Sequence, residues 1–133
     1  MNGYLLDTCI CVFLFRNKYN IEKRLNQIGY KDCYVSEVTL AELRYGAYKS
    51  DRTEQNLDLI ERFSEKVNIV PFAETIDFYA KEKNRLNKQG TPIEDFDLLI
   101  ASAAYSRKLT LVTDNQKHFK NVQGIVVENW VVR

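Results

Sequence analysis

Five short apolar runs constrain this chain more than any other feature. They are "YLLD" at Tyr4–Asp7, "CYVS" at Cys33–Ser36, "VNIVPF" at Val67–Phe72, "LTLVTD" at Leu109–Asp114 and "GIVVENW" at Gly124–Trp130. Each is short, largely apolar and without strict alternation, the pattern of a strand covered on both faces. Longer segments with helical spacing lie between them. "TCICVFLFRN" follows the first run, with Thr8 able to cap, and Ile21, Leu25 and Ile28 mark a second helix. Ser36 caps a helix through "EVTLAELRYGAYK". Thr53 starts another, with Leu57, Ile60 and Phe63 on one face. Pro71 ends the third strand, residues 75–88 form a charged amphipathic helix that Gly90 stops, and a last helix runs to about Arg107. Strands alternating with helices predict an α/β fold built on a parallel sheet, whose ligands sit beyond the carboxyl ends of the strands.

Bulk properties narrow the classes. A length of 133 residues predicts one domain, 1–133, and a net charge of +1 supplies no global field for nucleic acid. Nucleic-acid binding then needs a local basic patch, or metal ions that screen the chain's own acids. Cys9, Cys11 and Cys33 lack disulfide spacing and read as small buried thiols of a reducing cytoplasm. His118 is the sole histidine, so a Cys-x-Cys zinc site lacks an evident fourth ligand. "CICVFLF" is too short to span a membrane, and the N-terminus has no leader pattern, so a cytoplasmic location is expected. The same run is rich for a first helix: part should face the sheet, and the remainder is either core or a partner contact.

The strand ends carry acids. The first strand ends in Asp7 and the fourth in Thr113–Asp114; if the two strands are neighbours, their carboxylates converge. Glu42 lies in the helix after the second strand, among Val38, Thr39, Tyr45 and Gly46 at three- and four-residue spacing. Carboxylates gathered at one sheet edge repel one another, and a divalent cation resolves that repulsion. Oxygen ligands without nearby His or Cys favour Mg²⁺ or Mn²⁺.

"PIEDFDLLIASAA" at Pro92–Ala104 adds three acids at a helix start. With Asp97 at zero on a helical wheel, Ala104 falls at about −20°, Ala101 at about +40° and Ile100 at about −60°. Asp97 therefore looks along a small, apolar, core-side face, and the helix dipole favours its charge. Asp95 falls at about 160°, beside Ser102 and Ser106, on the expected solvent side. "TPIE" predicts a capping box with Thr91 as N-cap and Glu94 at N3, unless the helix begins at Asp95.

With these residues in place, the chain resembles the PIN-domain ribonucleases, and within them the VapC toxins of toxin–antitoxin pairs. The resemblance rests on "LLDTCI", "SEVTLAELRYGAYKS", "FDLLIASAA", "LTLVTDN" and "VENW", in family order over nearly the whole chain. It implies a PIN-like three-layer sandwich around a central, mostly parallel sheet of about four to five strands. It implies a Mg²⁺-dependent endoribonuclease, with Mn²⁺ as an alternative, that inhibits translation by cutting RNA, tRNA among the candidates. The family's acidic positions carry over to Asp7, Glu42, Asp97 and Asp114, with Asp7 and Asp97 on the metal. Glu42 completes the metal shell or orients the attacking water. Relatives shift by a residue after the fourth strand, which brings in Thr113 and Asn115 as supporting groups. Such toxins form homodimers, and a VapB-like antitoxin inhibits them with a peptide, often carrying a basic side chain, over the acids.

RNA also needs positive charge around the pocket, for which Arg44, Lys117 and Lys120 are placed, while Tyr45 or Tyr48 can stack on a base. His118 is a tempting general base, but metal-activated water requires none, and a surface or packing role is expected. The competing readings are a non-catalytic PIN-fold module that binds RNA or protein, and a phosphoacceptor domain. The second would need a phosphorylated Asp on a middle strand and a Lys after a late one, which "VNIVPF" and "GIVVENW" do not provide. A haloacid-type phosphatase would need Asp-x-Asp at the first strand, where this chain has Asp7-Thr8-Cys9.

Overall fold

The computed structural model describes residues 3–133. Its elements run β1 (Tyr4–Leu6), α1 (Thr8–Phe15), α2 (Ile21–Ile28), β2 (Cys33–Ser36), α3 (Glu37–Tyr48), α4 (Thr53–Lys66), β3 (Asn68–Val70), α5 (Ile76–Lys88), α6 (Asp95–Arg107), β4 (Thr110–Val112) and β5 (Val126–Glu128). All four strand pairings are parallel, in the spatial order β3-β2-β1-β4-β5. The chain builds outward from β1 to β3, then returns to place β4 on the free side of β1. Register pairs Leu5 with Leu111 and Leu6 with Val112.

Successive strand residues serve opposite layers, as the two-residue period of a strand requires. Leu5, Val70 and Leu111 pack with Leu86 of α5, with Leu98–Ala101, Ala103 and Ala104 of α6, and with Phe119. Leu6, Val35 and Val112 pack on the other face with Ile10 and Cys11 of α1, Leu25 of α2, Leu43 and Ala47 of α3, and Ile60 and Phe63 of α4. The result is the three-layer sandwich with five parallel strands. Val12, Phe13, Leu14 and Phe15 of "CICVFLF" are half-buried against this second cluster, so the whole run is used in packing.

Helix starts differ from two expectations. Asp7, not Thr8, caps α1: its carboxylate accepts the Thr8 N–H at 2.8 Å. At α6 the N-cap position is Glu94, without a side-chain cap bond, and Thr91–Ile93 stay outside the helix. The Thr91 hydroxyl instead accepts from the Gln89 side chain at 2.8 Å, and the residue before a proline is biased away from helix. The expected capping box does not form. Ser36 behaves as read: its hydroxyl accepts the Val38 N–H at 3.0 Å with the residue fully buried. Removing that oxygen strands a buried N–H, so Ser36→Ala should lose about 1 kcal/mol, measured as a lowered urea midpoint with unchanged slope.

Candidate active site

In a parallel sheet the crevice lies where the strand order reverses, and here that point falls between β1 and β4. Asp7 emerges from β1 with its N–H on Val112 carbonyl oxygen (2.9 Å), and Thr113 emerges from β4 with its N–H on Glu128 carbonyl oxygen (2.9 Å). The Thr113 hydroxyl donates to Asp7 Oδ2 at 2.7 Å, while Oδ1 takes the Thr8 N–H. Both residues are buried. The Asp7 carboxylate is therefore held from two directions by the ends of neighbouring strands.

Glu42 reaches the same crevice from α3. Its Oε1 accepts the Thr8 hydroxyl at 2.6 Å, and Thr39 lies 3.1 Å from that hydroxyl. Asp97 arrives from the first turn of α6, half-buried, with Oδ2 3.2 Å from Nδ1 of His118. Burial raises the Glu42 carboxyl above its ordinary range; the Thr8 bond opposes this, and the charges of Asp7, Asp97 and Glu94 add to it. Asp97 is raised by burial first and by Asp7 next, with His118 pulling the other way. Among the described residues, no Lys or Arg forms an ion pair with Asp7, Glu42 or Asp97. Negative charge is concentrated here, with His118 as its one basic neighbour among the described ion pairs.

The fourth acid read from sequence stands apart. Arg133 grips the Asp114 carboxylate at 2.9 and 2.7 Å, and Asn129 donates to it at 3.1 Å. Arg133 holds the Asp114 carboxyl below its ordinary range. From this strand end it is Thr113 that meets the acids, and the Asn115 N–H braces the Thr113 hydroxyl at 3.0 Å. Asp95 also points elsewhere, accepting from Tyr79 (2.7 Å) and Lys83 (2.8 Å), which lower its carboxyl. The separation of Asp97 from Asp95 holds, but one reason offered for it does not. Ser102 is fully buried, since its hydroxyl returns to Leu98 carbonyl oxygen at 2.6 Å and needs no water. Asp95 is exposed because it begins the helix.

Of the basic residues, Arg44 is exposed and paired with Glu61 at 3.1 Å, while Lys117 and Lys120 are exposed on and after the turn that carries His118. Sequence reasoning missed three neighbours of the acids. Thr8 binds Glu42, and its place directly after Asp7 was the available signal. Glu94 contributes charge rather than a cap. Cys9 is only half-buried, with Sγ 3.6 Å from Asp7 Oδ2, and burial pushes its thiol up to about 11.

Do these residues suit a metal? Three carboxylates and threonine hydroxyls form a hard-oxygen donor set, the kind that suits Mg²⁺ or Mn²⁺. Among the described residues, no three acidic, His or Cys side chains converge tightly enough to enclose an ion by themselves. That too suits Mg²⁺, which keeps several waters and takes one or two carboxylates plus substrate oxygens.

A parallel α/β sandwich with an uncompensated acidic pocket at its switch point defines the class: a fold suited to cation-assisted chemistry on an anionic substrate. The PIN domain family profile matches residues 4–125. The chain is 39% identical over 132 residues to the tRNA(fMet)-specific endonuclease VapC of Shigella flexneri, covering 98% of this chain and 99% of that one. It is 36% identical over 135 residues to ribonuclease VapC2 of Rickettsia felis, covering 96% and 97%. The fold superposes on the crystal structure of DNA-bound VapBC from Salmonella typhimurium with a TM-score of 0.90 at 34% identity, over 98% of this chain and 99% of that one. The chain belongs to the PIN-domain family, in its VapC group of ribonucleases.

The raised acids have a stability consequence. A carboxyl whose pKa is raised by folding costs nothing below the unfolded pKa, where both states are protonated, and costs most above the folded pKa. In EDTA at neutral pH, Glu42→Gln and Asp97→Asn should each raise the melting temperature by about 2 °C. The gain should vanish near about pH 3 and shrink in high salt, both measured by scanning calorimetry.

Proposed function

We propose that this chain is a Mg²⁺-dependent endoribonuclease, with Mn²⁺ able to substitute, and that it acts as the toxin of a toxin–antitoxin pair. It works as a single domain and a homodimer in the cytoplasm, where cleavage of RNA stops translation. The observation that carries this reading is that Asp7, Glu42 and Asp97 meet at one sheet edge with no lysine or arginine paired to them. The naming of relatives as tRNA(fMet)-specific endonucleases supports tRNA as the substrate class.

Hydrolysis adds water across a P–O bond: the water oxygen bonds to phosphorus, the leaving oxygen departs, and one proton passes from the first to the second. A bound Mg²⁺ supplies acidity to that water and relief of charge on the phosphoryl oxygens. Asp7 and Asp97 would hold the ion. Thr113 and the Thr8 N–H fix Asp7 so that it does not reorganise during the reaction. Glu42, with Oε1 occupied by Thr8, keeps Oε2 for a hydrogen bond from the attacking water. We assign the supporting role after β4 to Thr113 and Asn115, and place Asp114 outside the metal shell as the anchor of Arg133. Lys117 and Lys120 flank the pocket to meet phosphates, and Arg44 joins them by releasing Glu61. Tyr45 and Tyr48, each 66% exposed on the helix that carries Glu42, offer faces for unstacked bases.

Several solved relatives are toxin–antitoxin complexes, which supports a VapB-like antitoxin as the partner here. The pocket has an excess of negative charge, so a basic side chain from that partner would supply the missing counter-charge.

Purified protein should cleave tRNA in Mg²⁺ and lose cleavage in EDTA. Asp97→Asn should reduce the rate about 100-fold or more, while Asp95→Asn should stay within about threefold. Equal loss from both substitutions, or full metal-dependent cleavage by Asp97→Asn, would refute the assignment. Binding of RNA without any cleavage would favour a non-catalytic module.

A further inference from the structure

Both acids assigned to the metal are touched by one short segment, residues 113–119. At its start the Thr113 hydroxyl donates to Asp7 Oδ2. Near its end Nδ1 of His118 stands 3.2 Å from Asp97 Oδ2. The segment is internally braced. The Asn115 N–H donates to the Thr113 hydroxyl, and the His118 N–H donates to Asn115 carbonyl oxygen at 3.0 Å. Phe119, the next residue, is only 1% exposed and packs in the core. The histidine backbone is thus set by the same turn that sets Thr113, while its ring remains more than half exposed.

We propose that His118 is a positioning residue that fixes Asp97 for metal binding by donating its Nδ1 hydrogen to Oδ2. This rests on the metal-site reading above. A carboxylate only accepts, so the hydrogen belongs to Nδ1, whatever the state of the far ring nitrogen. Asp97 Oδ2 is then engaged, which would leave Oδ1 for a cation. No other side chain among the described hydrogen bonds restrains Asp97, in contrast to Asp7, which is held twice. Hydrogen bonds behind ligating carboxylates commonly set metal affinity. Because the ring is largely in solvent, replacing it leaves the core packing intact.

The test titrates the full chain, stripped with EDTA, with Mn²⁺ and follows free Mn²⁺ by electron paramagnetic resonance. His118→Ala should weaken binding about tenfold or more. His118→Asn, whose amide reaches where Nδ1 lies, should return to within about threefold of the parent; His118→Gln, whose amide reaches toward the far nitrogen, should not. Cleavage by His118→Ala should fall at low Mn²⁺ and recover at saturating Mn²⁺. Wild-type affinity in His118→Ala overturns the proposal. So does equal loss in all three variants, and so does rescue by Gln as well as Asn. Asp97→Asn separates the two ideas: if it abolishes binding while the His118 variants bind normally, the metal site stands and the positioning role falls. Absence of saturable Mn²⁺ binding by the parent chain removes both.

Discussion

The pairing of β1 with β4 is the contact on which the rest depends. Leu6 opposite Val112 closes the sheet on the side that β2 and β3 leave open. It also sets the next residue of each strand side by side, so that the Thr113 hydroxyl can reach Asp7. Parallel pairing forces long crossovers, and those crossovers are the helices that bring Glu42 and Asp97 to the same edge. A shift of one residue in this register would turn Leu5 and Leu6 to the wrong layers and carry Asp7 away from the crevice. Core packing and site geometry are therefore set by one alignment.

The pocket holds its acids at a cost in stability. The charge of Asp7 adds to burial in raising the carboxyls of Glu42 and Asp97, and the fold places no lysine or arginine among them. Elsewhere the buried and half-buried acids are paired: Glu82 with Arg85, Asp114 with Arg133 and Glu128 with Arg24. The contrast marks the pocket as a place where compensation is withheld. Hydroxyls and backbone N–H groups orient the acids there without cancelling their charge, so the field of the pocket stays negative.

Much of this was legible before any coordinates. The strands were visible because both faces of a parallel sheet demand apolar residues, and the helices because Ser36, Thr53 and Gly90 punctuate them. Asp7, Glu42 and Asp97 stood out as charges in apolar surroundings. Strand order was not legible, since neighbours in a parallel sheet are chosen by contacts far apart in sequence. The ion pair of Asp114 is hidden from sequence for the same reason: its partner Arg133 is nineteen residues away. Ser102 misled because a polar side chain on a helix was read as facing water, when its own turn satisfies it. Glu94 misled because a cap motif is local, and Gln89 had already taken the Thr91 hydroxyl. The contact of His118 with Asp97 on α6 is not legible from either segment alone.

The span between Asp7 and Thr113 also bears on how the protein is made. A ribosome releases Asp7 early, but the strand that holds its carboxylate emerges only when most of the chain has been synthesised. Until then β1 has one open edge, the crevice has one wall, and Asp97 has no histidine beside it. A nascent chain therefore carries the acids before it carries the two side chains that steady them. The crevice is assembled in one late step, with the closing strand, and a chain interrupted before that strand has neither Thr113 to hold Asp7 nor His118 beside Asp97.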